Sequence, residues 1–251
     1  MPENILKTLR KECIKISNIG KDGNLQSIFS SLPILWILYD QILKPEDSFV
    51  LSKGQSNLGL MVVLAHKNII SFDELETFCQ FDSRISMQVD RTKFNGEIKV
   101  SSGSLGHGLP IATGIALAKK IKNESGKVYC LCGDGEFNEG TMWESVIFAS
   151  SKKLNNLCVI IDNNKSLNKM INIGNLEDKI SVFGFNKASY DYNNLHTLPH
   201  DLKAKSTRPI LININTIRGY GCKTFVEDNS WFHRHPNENE VERLIDEVEE
   251  F

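Results

Sequence analysis

The amino-acid sequence predicts an α/β fold in which a mostly parallel sheet is flanked by helices on both faces. Three apolar segments support this prediction: KVYCLC (127–132), NLCVIID (156–162) and PILININTI (209–217). Each is apolar almost throughout instead of alternating, which is typical of strands buried on both faces of a sheet. Helical segments separate the strands, and a strand–helix–strand order favours parallel pairing.

The bulk composition resembles that of an average soluble domain. Of 251 residues, 41% are hydrophobic and 24% are charged, and the formal net charge is −2. This charge argues against nucleic acid or an anionic membrane as the main partner, because both need a basic surface. No apolar run approaches the ~20 residues that span a bilayer, and the first residues, MPENILKTLRKEC, lack the apolar segment of a signal peptide.

We therefore expect a cytoplasmic protein, in which the six scattered cysteines are free thiols of a reducing compartment. No internal repeat, low-complexity segment or Pro/Ser-rich linker interrupts the sequence. A single domain over residues 1–251 is the simplest interpretation.

The amino-terminal part is predicted to be mainly helical. Residues 3–18 and 28–43 have apolar positions at helical spacing, and Pro45 follows the second segment as a stop signal. SFVLSKGQSNLGLMVVLAHK (48–67) is typical of a short strand, a glycine turn and a helix. SFDELETFCQF (71–81) begins with a serine followed by acids, which indicates a helix start.

Further along the chain, residues 88–100 are polar and are expected to form an extended loop. GSLGHGLPIATGIALAKKIK (103–122) is typical of a glycine loop that opens a helix, with Pro110 in the first turn. Residues 139–153 are predicted to be a helix. The acidic carboxyl-terminal segment, 238–251, is predicted to be an amphipathic helix with a solvated charged face.

An acid follows the first buried strand, in the turn Gly133-Asp134-Gly135, where α/β proteins commonly bind phosphates. A carboxylate is tolerated beside phosphate when a divalent cation lies between them, and Mg²⁺ binds both kinds of oxygen. Asn164 lies one strand–helix–strand unit later, so both side chains are expected at the same end of the sheet. The backbone carbonyl of Ser166 is a third candidate ligand. Each feature alone is ordinary turn chemistry, but together they predict a metal–diphosphate site.

These residues also resemble a known family. The thiamine diphosphate fingerprint resembles two stretches of this chain, GDGEFNEG (133–140) and WESVIFASSKKLNNLCVIIDNNK (143–165). Their residues are similar to those of the transketolase family. Four further stretches are similar to that family in the same order: FVLSKGQS, VSSGSLGHGLPIATGIALA, DKISVFGF and TIRGYG. What they resemble is the amino-terminal, diphosphate-binding half of a transketolase.

The resemblance implies two cofactors, thiamine diphosphate and Mg²⁺ or another divalent cation such as Ca²⁺ or Mn²⁺. Asp134 and Asn164 match the metal-ligand side chains of the family, and the Ser166 carbonyl matches the backbone ligand. Gly133 and Gly135 belong to the matching cofactor-binding turn.

The resemblance also implies contacts to the cofactor rings and two catalytic residues. Gly103 matches a glycine whose backbone contacts the aminopyrimidine, and Leu105 matches the residue near the thiazolium ring. Glu139 matches a glutamate of a hydrogen-bonded network across the subunit interface. His233 matches a histidine beside the diphosphate and the substrate channel.

The substrate side departs from the family. Positions where ordinary transketolases have histidines around the hydroxyls of the ketol donor hold Asn24, Gln55 and a non-histidine near Val89. Amides can bond hydroxyls but cannot transfer protons near neutral pH as histidine can. His107 stands where the family often has glutamine; it either offsets one of these losses or bonds neighbouring backbone.

No acid of this chain matches the catalytic glutamate that the second half of a transketolase supplies. The resemblance therefore implies a partner chain, a carboxy-terminal subunit with the pyrimidine-binding domain and that glutamate, in an assembly of two heterodimers (α2β2). The implied reaction is transfer of a two-carbon ketol unit between sugar or sugar-phosphate substrates, by the assembled chains only.

Two other function classes stay open on sequence grounds. The same cofactor scaffold can serve 2-oxo acid decarboxylation with carboligation, or the chain can be a non-catalytic binding or regulatory subunit. The combination of Asp134, Asn164, Gly103 and Glu139 argues against a non-catalytic subunit, because only binding of the cofactor requires these four residues together. A nicotinamide site would require GxGxxG after the first strand, which this chain lacks.

Several other residues have competing interpretations. His233 and His235 form an HxH pair without the further ligands that zinc requires. Trp231 and Phe232 are expected to be packing residues, with a substrate wall as the alternative. Arg218 lies in a loop that is expected at the rim of the cofactor site, but it can equally be a surface residue whose charge is solvated. The same two interpretations apply to Lys53.

Overall fold

The protein is described by a computed structural model that covers residues 3–165 and 171–251. The chain divides into two compact units. The first unit comprises Met1–Gln41, Gly54–Ser101 and Ile217–Phe251, and the second comprises Ile42–Lys53 and Ser102–Thr216. The predicted single-domain organisation of residues 1–251 stays a prediction.

From residue 108 to residue 227, the α-helices and strands of the described residues alternate, as the sequence indicates for this part of the chain. The helices of the described residues are α1 (Glu3–Gly20), α2 (Leu25–Ile37), α3 (Asn57–His66), α4 (Phe72–Leu75), α5 (Gly108–Lys122), α6 (Gly140–Ser151), α7 (Leu176–Val182), α8 (Leu198–Lys203), α9 (Lys223–Glu227) and α10 (Glu238–Glu250). The strands are β1 (Ser48–Leu51), β2 (Val128–Gly133), β3 (Leu157–Asn163), β4 (Asn186–Tyr190) and β5 (Ile210–Asn215).

The second unit contains the sheet, and it confirms the predicted fold class. In the described residues the strand order is β1-β2-β3-β5-β4, and every neighbouring pair is parallel. β2, β3 and β5 lie inside the sheet and are buried along nearly all of their length. Their uniformly apolar sequences are therefore explained by burial on both faces.

The register places the carboxyl ends of the central strands level with one another. Gly133 pairs with Asp162, and Asp162 in turn pairs with Ile214. Asn163, one residue further along β3, pairs with Asn215 at the end of β5. Polar residues that follow these strands therefore share one end of the sheet, as parallel pairing requires.

Strand β4 was not predicted from the sequence. It reads Asn-Lys-Ala-Ser-Tyr, and its burial is low except at Tyr190. Because β4 is an edge strand that pairs with β5 alone, it does not need the apolar composition of the central strands.

The first unit is helical. Helix α2 is buried almost throughout, and Gly59 of α3 lets the two helices approach closely, since a Cβ there would lie 2.9 Å from Cγ2 of Ile28. An aromatic cluster closes this core: the ring of Phe225 lies 5.1 Å from that of Phe29 and 5.0 Å from that of Trp231. Trp231 is buried, which agrees with its expected packing role.

Two predicted helix boundaries differ from the observed ones. The helix expected over 28–43 begins at Leu25 and ends at Ile37, where a π-helical turn continues to Ile42. The helix expected from Ser71 does begin there, with a reciprocal capping box between Ser71 and Glu74, but it is α-helical only to Leu75. None of the helices in the described ranges is long and apolar enough to cross a membrane.

Candidate active site

The carboxyl ends of the strands in the second unit carry a concentration of polar side chains. Asp134 begins the turn after β2 and is only 1% exposed. A cavity of about 340 Å³ opens at this position. Its lining is mostly polar and consists of Asp134, Asn163, Lys165, Asn172, Gly174, Asn175, Leu176, Glu177, Asn213 and Asn215. Residues with carboxylate and amide side chains therefore line a common cavity at the expected end of the sheet.

The amides of β3 and β5 form a connected row along this cavity. Asn163 donates from Nδ2 to Oδ1 of Asn213 at 3.0 Å. Lys165 donates from Nζ to Oδ1 of Asn215 at 3.1 Å. Asn215 in turn donates from Nδ2 to the carbonyl of Tyr190 at 3.4 Å. These bonds orient the amides from one strand to the next.

The predicted metal ligands are only partly covered by the structure. Asn164 directly follows β3 and is half-buried. The residue of β3 that lines the cavity with Asp134 is its neighbour Asn163, which the sequence analysis did not single out. Ser166 lies outside the described residues.

Beneath the turn, a buried ion pair joins the ends of β1 and β3. Lys53 donates from Nζ to Asp162, and both side chains are at most 1% exposed. Thr216, which follows β5, donates its hydroxyl to the same carboxylate. The alkyl stem of Lys53 lies against Gly133, where a Cβ would be 3.5 Å from the Cγ of Lys53. Lys53 is therefore a structural partner of the site, and its interpretation as a solvated charge was wrong.

The glycine loop before α5 presents the residues expected at the cofactor rings. Gly103 has a φ of +151°, and Leu105 is 46% exposed although it is apolar. Ser102 donates its hydroxyl to the carbonyl of Leu51, which ties the loop to the end of β1. The Nδ1 of His107 lies 2.9 Å from the carbonyl oxygen of Leu105. His107 thus makes the contact with neighbouring backbone that was one of its two expected roles.

Two acids of the turn after β2 have opposite environments. Glu136 is 1% exposed, and its carboxylate accepts hydrogen bonds from Ser52, Gly106 and Gly133. Burial raises the pKa of Glu136, against these hydrogen bonds, which favour its ionised form. Glu139, by contrast, is exposed at the start of α6. Of the two, only Glu139 was expected to be functional.

The remaining predicted residues belong to the first unit. Asn24 is the N-cap of α2, with Oδ1 accepting from the Ser27 amide at 3.2 Å. Its Nδ2 is buried and has no acceptor within the part of the chain that the structure describes. Gln55 lies in a short 3₁₀ turn and is half-buried. His233 is exposed at the end of another such turn.

The side chains around His233 contact one another through the ring of Phe232. The Phe232 ring lies 4.4 Å from the imidazole of His233, and Cζ of Arg218 lies 4.9 Å from the centre of the same ring. Phe232 is 38% exposed, so it supports Arg218 and His233 at the surface of the unit instead of filling its core. This differs from the packing role expected for Phe232.

Comparison with known proteins decides the family. Residues 39–245 match the family described as "Transketolase, thiamine diphosphate binding domain". The chain belongs to the transketolase family. It is 30% identical to one of the subunits of the apulose-4-phosphate transketolase of Actinobacillus succinogenes, across 99% of this chain and 96% of that protein.

Two further transketolases extend this comparison. The 6-deoxy-6-sulfo-D-fructose transketolase subunit SqwG of a Clostridium species is 32% identical, over 87% of this chain and 84% of that protein. The structure of the transketolase from Leishmania mexicana matches with a TM-score of 0.84 at 24% identity, covering 96% of this chain and 40% of that one. The match to the Leishmania enzyme shows the fold, and the chain spans less than half of that enzyme. The predicted membership in a family of thiamine diphosphate-dependent transferases is confirmed.

The donor set of this transketolase-family chain fits a hard divalent cation. Asp134 provides a buried carboxylate, and Asn163, Asn213 and Asn215 provide amides around the same cavity; Mg²⁺ and Ca²⁺ prefer such oxygen ligands. Within residues 3–165 and 171–251, no three His, Cys, Asp or Glu side chains form a group that could hold a metal. The fit therefore depends on the carboxylates of Asp134 and Glu177 combined with amide oxygens.

Sequence reasoning missed five residues at this transketolase-type site, namely Lys53 as a buried group, Glu136, Asn163, Asn213 and Asn215. A usable signal existed for the last two: two amides interrupt the otherwise apolar strand ILININ, where a buried strand has no reason for polar side chains. For Lys53 and Glu136 no local signal existed, because their partners lie far away in the sequence.

Proposed function

We propose that this chain is the amino-terminal, diphosphate-binding subunit of a two-chain transketolase. It binds thiamine diphosphate through Mg²⁺, or through Ca²⁺ or Mn²⁺, and with its partner it transfers a two-carbon ketol unit between sugar-type substrates. The observation that carries the proposal is the near full-length match to a relative named as a single subunit of a transketolase. The buried Asp134 in an oxygen-lined cavity supports the cofactor assignment.

Each part of the site has a role in this proposal. Asp134, Asn164 and the carbonyl of Ser166 hold the cation, and the turn from Gly133 to Gly135 lets the backbone approach the diphosphate. Gly103 and Leu105 contact the two rings. When bound, thiamine diphosphate would supply an electron sink that allows a carbon–carbon bond beside a carbonyl to break and form; the protein binds the cofactor, orients it and excludes water.

Glu139 and His233 are the candidate catalytic residues of the chain. The exposed position of Glu139 at the start of α6 supports a hydrogen bond to another subunit. The edge-to-face contact of His233 with Phe232 supports a fixed orientation of its imidazole. Asn24, Gln55 and His107 are the candidates for contact with substrate hydroxyls. The buried Nδ2 of Asn24 supports such a role, since it lacks an acceptor among the described residues.

The partner we infer is a carboxy-terminal subunit with the pyrimidine-binding domain and the catalytic glutamate, assembled with this chain as α2β2. Relatives named as single subunits of a transketolase support a two-chain enzyme. The names of both relatives specify a sugar with an anionic substituent, which supports a sugar phosphate or similar substrate. A cytoplasmic location is supported by the six free cysteines, as expected in a reducing compartment.

The experiment that tests the proposal is reconstitution. This chain, a candidate carboxy-terminal transketolase subunit from the same organism and their mixture are assayed with thiamine diphosphate, Mg²⁺, a ketose phosphate donor and an aldose acceptor. We expect ketol transfer by the mixture and none by either chain alone. Turnover by this chain alone would contradict the two-chain site, and decarboxylation of a 2-oxo acid by the mixture, without ketol transfer, would replace the proposed reaction.

A further inference from the structure

Glu136 lies where three segments of the second unit meet. Its Oε1 accepts from the Ser52 hydroxyl at 2.6 Å and from the Gly106 amide at 3.2 Å. Its Oε2 accepts from the Gly133 amide at 2.8 Å. A carboxylate that is 1% exposed is costly unless it is hydrogen-bonded, so these three bonds explain how it is accommodated.

Each donor belongs to a different part of the proposed site. Ser52 directly follows β1. Gly106 belongs to the glycine loop, three residues after Gly103 and next to Leu105, and Gly133 directly precedes Asp134. One side chain therefore connects the loop assigned to the cofactor rings with the turn assigned to the metal and the diphosphate.

The glycine loop is also fixed on the opposite side of Gly106. The Gly106 carbonyl accepts from the hydroxyl of Thr141 at 2.8 Å. A Cβ on Gly106 would lie 2.5 Å from the Cβ of Glu139. The loop thus has close contacts to α6 on this side, and the bond to Glu136 determines how near it lies to the end of β2.

We propose that Glu136 is a positioning residue, which sets the spacing between the glycine loop (103–107) and the metal-binding turn (133–135). This inference rests on the proposed function. Rings and diphosphate are covalently connected parts of one ligand with a limited reach, so both can bind at full strength only when loop and turn are correctly separated. A small displacement of a binding group is costly in such a site.

The consequence distinguishes positioning from simple structural support. Inorganic diphosphate with Mg²⁺ needs the turn but not the loop, whereas thiamine diphosphate needs both. Loss of the Glu136 bonds should therefore weaken thiamine diphosphate binding much more than inorganic diphosphate binding. A merely structural residue would change both affinities by the same factor.

The experiment measures Mg²⁺-dependent dissociation constants of both ligands for the full chain assembled with its partner. The variants are Glu136→Ala, Glu136→Gln and Ser52→Ala, with Glu124→Gln as the matched control, because Glu124 is an exposed acid of the same unit. For Glu136→Ala we expect at least a tenfold loss for thiamine diphosphate and less than a threefold loss for inorganic diphosphate. Glu136→Gln should be intermediate, because an amide can still accept from Ser52 and Gly106 but places an NH₂ group against the Gly133 amide.

If Glu136→Ala does not fold, Glu136→Gln and Ser52→Ala still decide the question through the ratio of the two affinities. An equal change for both ligands, or no change in folded variants, would overturn the inference. Asp134→Ala separates this failure from failure of the proposed function. If Asp134→Ala removes binding of both ligands while the Glu136 variants leave the ratio of the two dissociation constants unchanged, only the positioning role of Glu136 is rejected. If the unsubstituted complex binds no thiamine diphosphate, the positioning role and the proposed function are both rejected.

Discussion

Lys53 and Asp162 form an ion pair inside the second unit, with neither side chain more than 1% exposed. They lie 109 positions apart in the sequence and join the segment after β1 to the end of β3. Thr216 bonds the same carboxylate from the end of β5. The polar end of the sheet is thus built on a buried charged pair that holds three strands together.

Replacing Lys53 by Met should strongly destabilise the chain. The substitution keeps the apolar stem against Gly133 but leaves the Asp162 carboxylate buried without its cation, which costs about 3–5 kcal/mol of unfolding free energy. Urea unfolding followed by circular dichroism measures this change. The double variant Lys53→Met/Asp162→Asn should be less destabilised than the sum of the single variants, and strict additivity would contradict a direct interaction.

Asp134→Ala should abolish Mg²⁺-dependent binding of thiamine diphosphate by the assembled complex without unfolding the chain. The physical reason is that the cation offsets the repulsion between the diphosphate and its surroundings only when it has protein oxygens to hold it. Equilibrium binding with and without Mg²⁺ provides the measurement. Asp246→Asn, an exposed acid of α10, is the control. Unchanged cofactor affinity in Asp134→Ala would remove the metal assignment.

Two glycine substitutions should act in opposite directions. Gly106→Ala requires a φ of +77° and places a Cβ within 2.5 Å of Glu139, so it should destabilise the chain by more than about 1 kcal/mol and weaken cofactor binding. Gly114→Ala meets no atom within 4 Å on helix α5 and should stabilise the chain by about 0.5–1 kcal/mol. Thermal unfolding of the two variants checks both signs, and a stable Gly106→Ala variant would contradict the close packing of the loop.

Glu247 should contribute a pH-dependent stabilisation of the first unit. Its carboxylate accepts from the amide of Thr224 at 2.8 Å and from the hydroxyl of Thr224 at 2.7 Å. Burial alone would raise the pKa of Glu247, but these bonds, with those from Cys222 and Arg243, lower it below its ordinary value of 4.5. The folded pKa is therefore the lower one, and the stabilisation is present above pH 4.5 and disappears as the pH falls through the folded pKa.

Glu247→Gln should accordingly lose about 1 kcal/mol near pH 7 and show a shallower decrease in stability on acidification than the unsubstituted chain. Urea midpoints between about pH 7 and pH 3 measure both quantities. Glu242→Gln, an exposed acid on the same helix, should follow the unsubstituted chain. Parallel pH profiles for Glu247→Gln and the unsubstituted chain would show that the carboxylate makes no such contribution.

Gln55→His should change donor preference more than cofactor affinity. A histidine can exchange a proton with a donor hydroxyl near neutral pH, whereas the amide of Gln55 can only hydrogen-bond it. The ratio of kcat/KM for two ketose donors is compared with the dissociation constant of thiamine diphosphate, with Gln80→His at an exposed position as control. Equal donor kinetics before and after the substitution would argue against a Gln55 that faces the donor.

The sequence by itself determined the fold class, the central strands and the position of the acid at the turn. Burial on both faces requires apolar residues along the whole of β2, β3 and β5, and this requirement is visible within one short segment. Parallel pairing then places Asp134, Asn163 at the end of β3 and Asn164 after it at one end of the sheet. The family resemblance rested on the same local motifs.

Only the tertiary structure decided which polar groups meet. No local feature of the sequence marks Lys53 and Glu136 as buried groups, because their partners Asp162 and Ser52 lie 109 and 84 positions away. Strand β4 was not predicted because an edge strand tolerates polar residues and therefore lacks the apolar pattern of a buried strand. Periodicity reports the environment that a segment requires, whereas the pairing of buried charges depends on distances between segments, and those are set only when the chain has folded.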